Sequence, residues 1–353
     1  MTRATVSLLL AAAMAACAQT PAGNATLTAV DGIRVGHHTL AERPTGCTVI
    51  LLDGSAIAGV AQRGAAPGTR DTDLLEPTNG AAHVNAVVLS GGSAFGLDTA
   101  NGVMRWLDER QGWVARLTRS LEVPVVPAAV LIDLWVGGKP SIRPSADCGY
   151  RAAAAASRAA VEEGTVGAGA GASVGKLLGR ERAMKGGIGS AAIAMPSGLR
   201  VGALVAVNAL GDVIDPATGT VIAGARADDG SLVDVRTLLR SGGPVQRTRV
   251  SENTTLGVVA TNARLTKVDA SRVALMADAG IARTVSPAHT TADGDTVFAL
   301  ATGTWNGDAD VTTIGALAAE VLADAIVRAV RQASAVAGLP AARDGAATRP
   351  RRP

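Results

Sequence analysis

This chain has very little aromatic material with which to fill a core: Phe, Trp and Tyr make up 2% of 353 residues, against 42 glycines and recurrent alanine runs. Such a core must be built from Ala, Val, Leu and Ile, and it reaches native density only where backbones approach closely, which glycine permits. Glycine-rich joints between tightly packed layers are therefore expected. With 48% hydrophobic residues, the chain can bury one large core or two intimately packed ones. The formal net charge of +3 comes from interspersed signs, without a basic stripe or interleaved aromatics, so nucleic acid is not an expected partner.

Strand-like apolar runs occupy residues 48–52, 86–89, 124–132, 201–208, 254–260 and 296–302, most of them bounded by glycine or charged turns. Helical periodicity alternates with them at 94–110, 149–163, 270–281 and 311–336. The fold class is mixed α/β. The run 201–208 turns at Leu210-Gly211-Asp212 into Val213-Ile214, which predicts an antiparallel hairpin and argues against a purely parallel sheet.

At the N-terminus, Met1 and Arg3 precede an apolar stretch from Val6 to Ala16 that ends at Cys17, too short to span a bilayer but suited to a signal peptide. Export to the periplasm is expected. Met14-Ala15-Ala16-Cys17 also resembles a lipobox, with methionine where leucine is usual, so membrane attachment through a lipid on Cys17 and simple cleavage both stay open. The expected layout is a signal at 1–16, one domain at 17–338, and a disordered basic tail at 339–353, where apolar periodicity stops. Cys47 and Cys148 remain, expected as small buried residues, with a single bridge between them open in an oxidising compartment.

Several motifs fail on inspection. The segment Gly167-Ala168-Gly169-Ala170-Gly171-Ala172-Ser173-Val174-Gly175-Lys176 lacks the first P-loop glycine, at Ala170, and the hydroxyl after the lysine, at Leu177. It reads instead as a tight glycine loop. Ser93, in Ser90-Gly91-Gly92-Ser93-Ala94-Phe95-Gly96, stands between a strand and a helix, but Phe95 breaks the nucleophile-elbow pattern. A helix N-cap is the favoured reading for Ser93, with backbone N–H groups of the loop available to a substrate pocket. The histidines His37, His38, His83 and His289 lack metal-site spacing, and no metal or other cofactor is implied.

Two short segments carry chemistry. Asn253-Thr254-Thr255 puts a hydroxyl at the start of an apolar strand, within reach of the carbonyl before it. An N→O acyl shift there, followed by hydrolysis, creates an N-terminal Thr254 whose side chain is a nucleophile. Its α-amine, with an ordinary pKa of roughly 7.7–8.0, is a possible base. Alone, the tripeptide fits an ordinary strand entry better. In Asp293-Gly294-Asp295, alternation puts both carboxylates on one face, able to orient a hydroxyl, although a surface turn fits the same residues.

Taken in order, these segments resemble the L-aminopeptidase/D-esterase family of self-processing N-terminal-nucleophile peptidases, which includes the β-peptidyl aminopeptidases. The blocks are 30–37, 67–75, 90–97, 164–175, 185–190, 253–255 and 293–303. The resemblance implies a four-layer α/β/β/α sandwich, as in ornithine acetyltransferases, assembled from an α-chain 17–253 and a β-chain 254–353. Thr254 corresponds to the nucleophile and Asn208 to the asparagine whose amide helps form the oxyanion hole. Asp293 and Asp295 correspond to a serine and an acidic residue that assist the nucleophile. Asp293 departs from that pattern, which shifts the base role towards the α-amine of Thr254. Tyr150 matches a pocket tyrosine of some relatives, and the loops holding Gly91, Gly92, Ser93, Gly186 and Gly187 would line the pocket. A homotetramer of processed heterodimers is implied by the resemblance alone.

The leading expectation is an exported aminopeptidase acting on short peptides, amino-acid amides or esters through a Thr254 acyl-enzyme. Acyl transfer to an amine is the alternative, and a binding lipoprotein with an intact Asn253–Thr254 bond is a third reading.

Overall fold

The computed structural model describes residues 24–81, 83–111, 123–245, 253–308 and 310–346. The expected signal segment 1–16, Cys17 and the chain from 347 onward lie outside them. The described strands are β1 (Ile33–Thr39), β2 (Gly46–Gln62), β3 (Thr69–Arg70), β4 (His83–Ser90), β5 (Ala128–Val130), β6 (Ser173–Val174), β7 (Met184–Lys185), β8 (Gly187–Ala194), β9 (Arg200–Asn208), β10 (Asp212–Ile214), β11 (Val221–Ala223), β12 (Thr254–Thr261), β13 (Val285–Ser286) and β14 (Thr296–Ala301). The α-helices are α1 (Thr99–Gln111), α2 (Ala146–Ala155), α3 (Val235–Arg240), α4 (Lys267–Ala277), α5 (Ala279–Thr284), α6 (Val311–Gln332) and α7 (Ala342–Ala346).

Nine strands share one sheet, in the order β3-β5-β4-β2-β14-β12-β9-β8 with β1 also on β2. The long β2 makes this sheet a sandwich. Its register against β4 shifts between Leu51 and Ala56, and beyond that bulge β14 takes the edge that β1 occupies earlier. Period-2 alternation then sorts the side chains into three buried layers. Ile50, Leu52, Val87 and Leu89 from one half share a central cluster with Leu204, Leu256, Val258 and Phe298 from the other. Val49, Leu51 and Val88 point the opposite way, against Val103 and Leu107 of α1 and Ala152 of α2. On the far side, Val205, Val207, Val259 and Val297 meet α4, α5 and α6. The result is the expected four-layer α/β/β/α arrangement.

Close approach substitutes for aromatic bulk. A Cβ on Gly102 of α1 would lie 1.6 Å from the Ala146 carbonyl, and one on Gly189 of β8 would lie 1.9 Å from that of Ala325 in α6. Both helix contacts exist only because these residues are glycine.

The structure also departs from the sequence reading. The strand runs on past the expected run 48–52: residues 53–55 stay extended and exposed within β2. Only Ala128–Val130 of the 124–132 run pairs as a strand, since Pro124 and Pro127 have no N–H to donate. The segment after β9 does not fold back on it: β10 pairs with β11 and β13 in a separate sheet, while β9 lies antiparallel between β8 and β12. Residues 339–346, expected within the disordered tail, are packed on the fold, with Leu339 and Ala341 buried, the Lys185 N–H bonded to the Pro340 carbonyl at 2.9 Å, and α7 following. Cys47 and Cys148 are bridged, joining the start of β2 to α2.

Candidate active site

Thr254 opens β12, a strand buried on both faces near the middle of the sheet. Antiparallel pairing sets Thr254 opposite Asn208, the last residue of β9. Parallel pairing with β14 brings the turn before that strand alongside, so that Asn253 bridges to Asp293. Three segments distant in sequence thus converge on one peptide bond. Thr254 is 3% exposed, and its hydroxyl donates to the carbonyl of Asn253. The same carbonyl oxygen accepts the Gly294 N–H at 2.8 Å.

Thr254 also lines a cavity of about 240 Å³ with Ala66, Pro67, Gly68, Ser93, Ala94, Val130 and Ile132. Among the described residues, the lining is uncharged and largely aliphatic. Ser93 is therefore at the site, but not as a helix cap: Gly92 occupies the cap position, Ser93 has φ +58° and its N–H donates to Leu131 O at 3.0 Å. A buried ion pair holds this loop from beneath. Asp133 bonds Arg43 at 2.9 Å and accepts the Gly92 N–H at 3.0 Å.

Asn208 is fully buried. Its Nδ2 donates to Ile132 O at 3.2 Å, on the cavity side, while its Oδ1 accepts from Ser173 N at 3.0 Å and Lys176 Nζ at 3.1 Å. Lys176 also bonds the Asn208 carbonyl at 3.0 Å. The lysine that fails as a P-loop residue instead fixes the asparagine amide. Its neighbour in the fold, Lys185, is also buried and donates to the carbonyls of Gly169, Ala172 and Gly186 at 2.7–3.0 Å, and burial pushes its ammonium down to about 7.

The two carboxylates serve different partners. Asp295 Oδ1 accepts the Thr255 N–H at 2.7 Å, anchoring the start of β12. Asp293 accepts from Thr290 Oγ1 at 2.5 Å and Thr290 N at 2.8 Å, turned into its own loop. Burial, and then the charge of Asp295, raise the Asp293 carboxyl above the usual range. One acidic group thus positions the threonine strand, whereas the other braces the turn. The shared-face expectation is corrected to that extent.

Sequence reasoning missed His289, whose ring nitrogens lie 3.0 Å from Asp295 Oδ2 and 3.1 Å from Asp278 Oδ2. Contact with Asp278 first, then with Asp295, raises its pKa to about 10. No metal-type spacing marks it, because its partners come from α4's end and from the turn rather than from one helix face.

Other expected residues stand elsewhere. Gly91 lies behind the cavity, where a Cβ would meet Asp133 Oδ2 at 2.3 Å, and Gly92 is bonded to that same carboxylate. Gly186 and Gly187 are packing glycines, with a Cβ meeting Val207 O at 2.0 Å and Ala329 O at 2.6 Å respectively. Tyr150 sits on α2 in the outer helix layer, bonded through its hydroxyl to Glu109 at 2.7 Å. Its place on α2 sets it apart from Thr254.

Such a fold, with a hydroxyl at the head of a central strand, is that of the N-terminal-nucleophile hydrolases. Residues 25–343 match the model of peptidase family S58, and the chain belongs to that family. It is 43% identical over 345 residues to an uncharacterised aminopeptidase of Mycobacterium tuberculosis, covering 90% of this chain and 97% of that one. It is 30% identical over 313 residues to a 6-aminohexanoate-oligomer endohydrolase of Kocuria, covering 85% and 84%. In fold it is similar to the L-aminopeptidase D-Ala-esterase/amidase of Ochrobactrum anthropi, with a TM-score of 0.67, 20% identity and coverage of 89% and 88%. The chain is thus a hydrolase of the aminopeptidase type.

Proposed function

We propose that this protein cuts itself between Asn253 and Thr254 and then uses the freed Thr254 to hydrolyse N-terminal residues from short peptides, amino-acid amides or esters. One observation carries the reading: Thr254, whose hydroxyl contacts the carbonyl before it, also lines the cavity. In turnover the hydroxyl attacks the substrate carbonyl. Its proton passes to the α-amine of Thr254, whose ordinary pKa of roughly 7.7–8.0 suits a base near neutrality. Asn208 Nδ2 donates to the developing oxyanion, held in place by Lys176 and Ser173. The leaving amine takes the proton, and water then resolves the ester.

Export is part of the same proposal. A bridge between Cys47 and Cys148 persists in oxidising compartments, which supports the reading of residues 6–16 as a signal. Lipidation of Cys17 and a tetramer of cut pairs complete the proposal, the latter on family resemblance.

Cleavage within a linear oligoamide is a second reading, favoured by the uncharged lining of the cavity and by the likeness to an oligomer endohydrolase.

Intact-mass analysis of the purified wild type beside Thr254→Ala tests the proposal. It expects two fragments, the second beginning at Thr254, and one uncut chain in the variant. An uncut wild type overturns it. Product analysis with an added amine acceptor separates hydrolysis from acyl transfer: mostly transferred acyl product would replace the hydrolase reading.

A further inference from the structure

We infer that the backbone N–H of Gly294 is the oxyanion donor for self-cleavage, separate from the Asn208 amide proposed for substrate turnover. The inference rests on the reading that the Asn253–Thr254 bond is cut. Its basis is geometric: the oxygen that becomes negative when Thr254 Oγ1 attacks is Asn253 O, and Gly294 N–H already donates to it at 2.8 Å. Asn208 Nδ2 donates to Ile132 O on the cavity side at 3.2 Å. The scissile carbonyl and the cavity flank Thr254 from different segments, so one hydroxyl serves two donors in two successive reactions.

Thr254 Oγ1 bonds to the Asn253 carbonyl carbon, and the carbonyl π electrons move onto the oxygen held by Gly294. The tetrahedral intermediate collapses by breaking the C–N bond, and the hydroxyl proton ends on the departing nitrogen, which becomes the α-amine of Thr254. Water then attacks the ester, giving the Asn253 carboxylate and regenerating the hydroxyl.

The donor is set by its surroundings. Asp293 O is fixed by the Ala66 N–H at 2.9 Å, and the Asp293 side chain is tied to Thr290, so the peptide unit between Asp293 and Gly294 is held from both sides. Glycine is required there for space: a Cβ at 294 would stand 2.9 Å from Thr254 Oγ1 and 2.6 Å from Ala66 O. The residue that offers the N–H must also leave room for the attacking oxygen.

The test replaces Gly294 in the full chain by glycolic acid, which exchanges the N–H for an ester oxygen without adding a side chain. Cleavage is followed from the uncut precursor by intact mass. Loss of one oxyanion donor is worth roughly 10²–10³ in rate, so cleavage should slow by at least roughly tenfold. A rate within about twofold of wild type overturns the assignment, since a catalytic donor is worth far more. Folding is controlled in the Thr254→Ala background, where the ester should leave the precursor's melting temperature near that of its all-amide counterpart. If the melting temperature falls sharply and cleavage slows with it, the N–H is structural and the assignment fails. Gly294→Ala, which keeps the N–H but crowds Oγ1, should also block cleavage while the precursor stays folded. A wild type that never cleaves at 253–254 instead overturns the underlying function, and the two failures are thereby distinct.

Discussion

Asn208 and Thr254 face each other in register, the end of β9 against the start of β12, so the amide is positioned by the sheet itself. Its acceptor oxygen is already engaged by Ser173 and Lys176. Asn208→Asp keeps that acceptor and removes the amide donor. Steady-state kinetics should show kcat lower by roughly 10²–10³ with KM little changed. A loss confined to KM would remove Asn208 from the oxyanion role.

Thr254→Ser preserves the hydroxyl and loses only the methyl group. The variant should still cut itself and turn over substrate, whereas Thr254→Val, of matching shape, should do neither. Mass analysis and amide hydrolysis by the same preparations decide this.

The charged state of His289 links stability to pH. Its pKa in the fold, about 10, exceeds the ordinary value of 6.5, so its contribution is fully present below 6.5 and is lost as pH rises through about 10. His289→Gln should lower the melting temperature at about pH 6, where the ring is charged beside the Asp278 and Asp295 carboxylates, and the gap to wild type should close near pH 10. A gap constant across that window would mean that His289 acts through packing alone.

The Cys47–Cys148 bridge closes a loop spanning 101 residues in sequence. Replacing both cysteines by alanine should cost about 2–5 kcal/mol, measured as a lower denaturant midpoint with the oxidised wild type as reference. Cys47 pairs with Ser90, just before the loop that carries Ser93, so KM should rise as well.

Lys185→Met leaves the carbonyls of Gly169, Ala172 and Gly186 without their buried donor. Stability should fall by more than about 3 kcal/mol, read from chemical denaturation of soluble protein. A near-neutral effect would show that water replaces the ammonium.

Much of this site is local in sequence and therefore readable. Thr254 heads an apolar strand, Asn208 ends one, and Asp293-Gly294-Asp295 precedes a third, so the hydroxyl, amide and carboxylates are visible as strand-end chemistry. The supporting residues are not visible in the same way. His289 gains meaning only from Asp278 and Asp295, and Lys176 only from a β9 residue 32 positions away. Glycines mislead for a related reason: Gly92 and Gly186 look alike in sequence, yet one supports the cavity loop and the other admits the Val207 carbonyl. Turn chemistry placed the bend after β9 correctly but not the partner of β10, because pairing is decided by strands that arrive later, notably β13.

The sheet order has a consequence for the molecule's lifetime. A chain cut after Asn253 contributes β12 and β14 from its second fragment, and these lie between β9 and β2 of the first. Neither fragment retains the whole of this nine-stranded sheet. The protein would fold as one chain and unfold as two, so reassembly after denaturation would depend on concentration, and its persistence would be governed by how slowly the halves come apart.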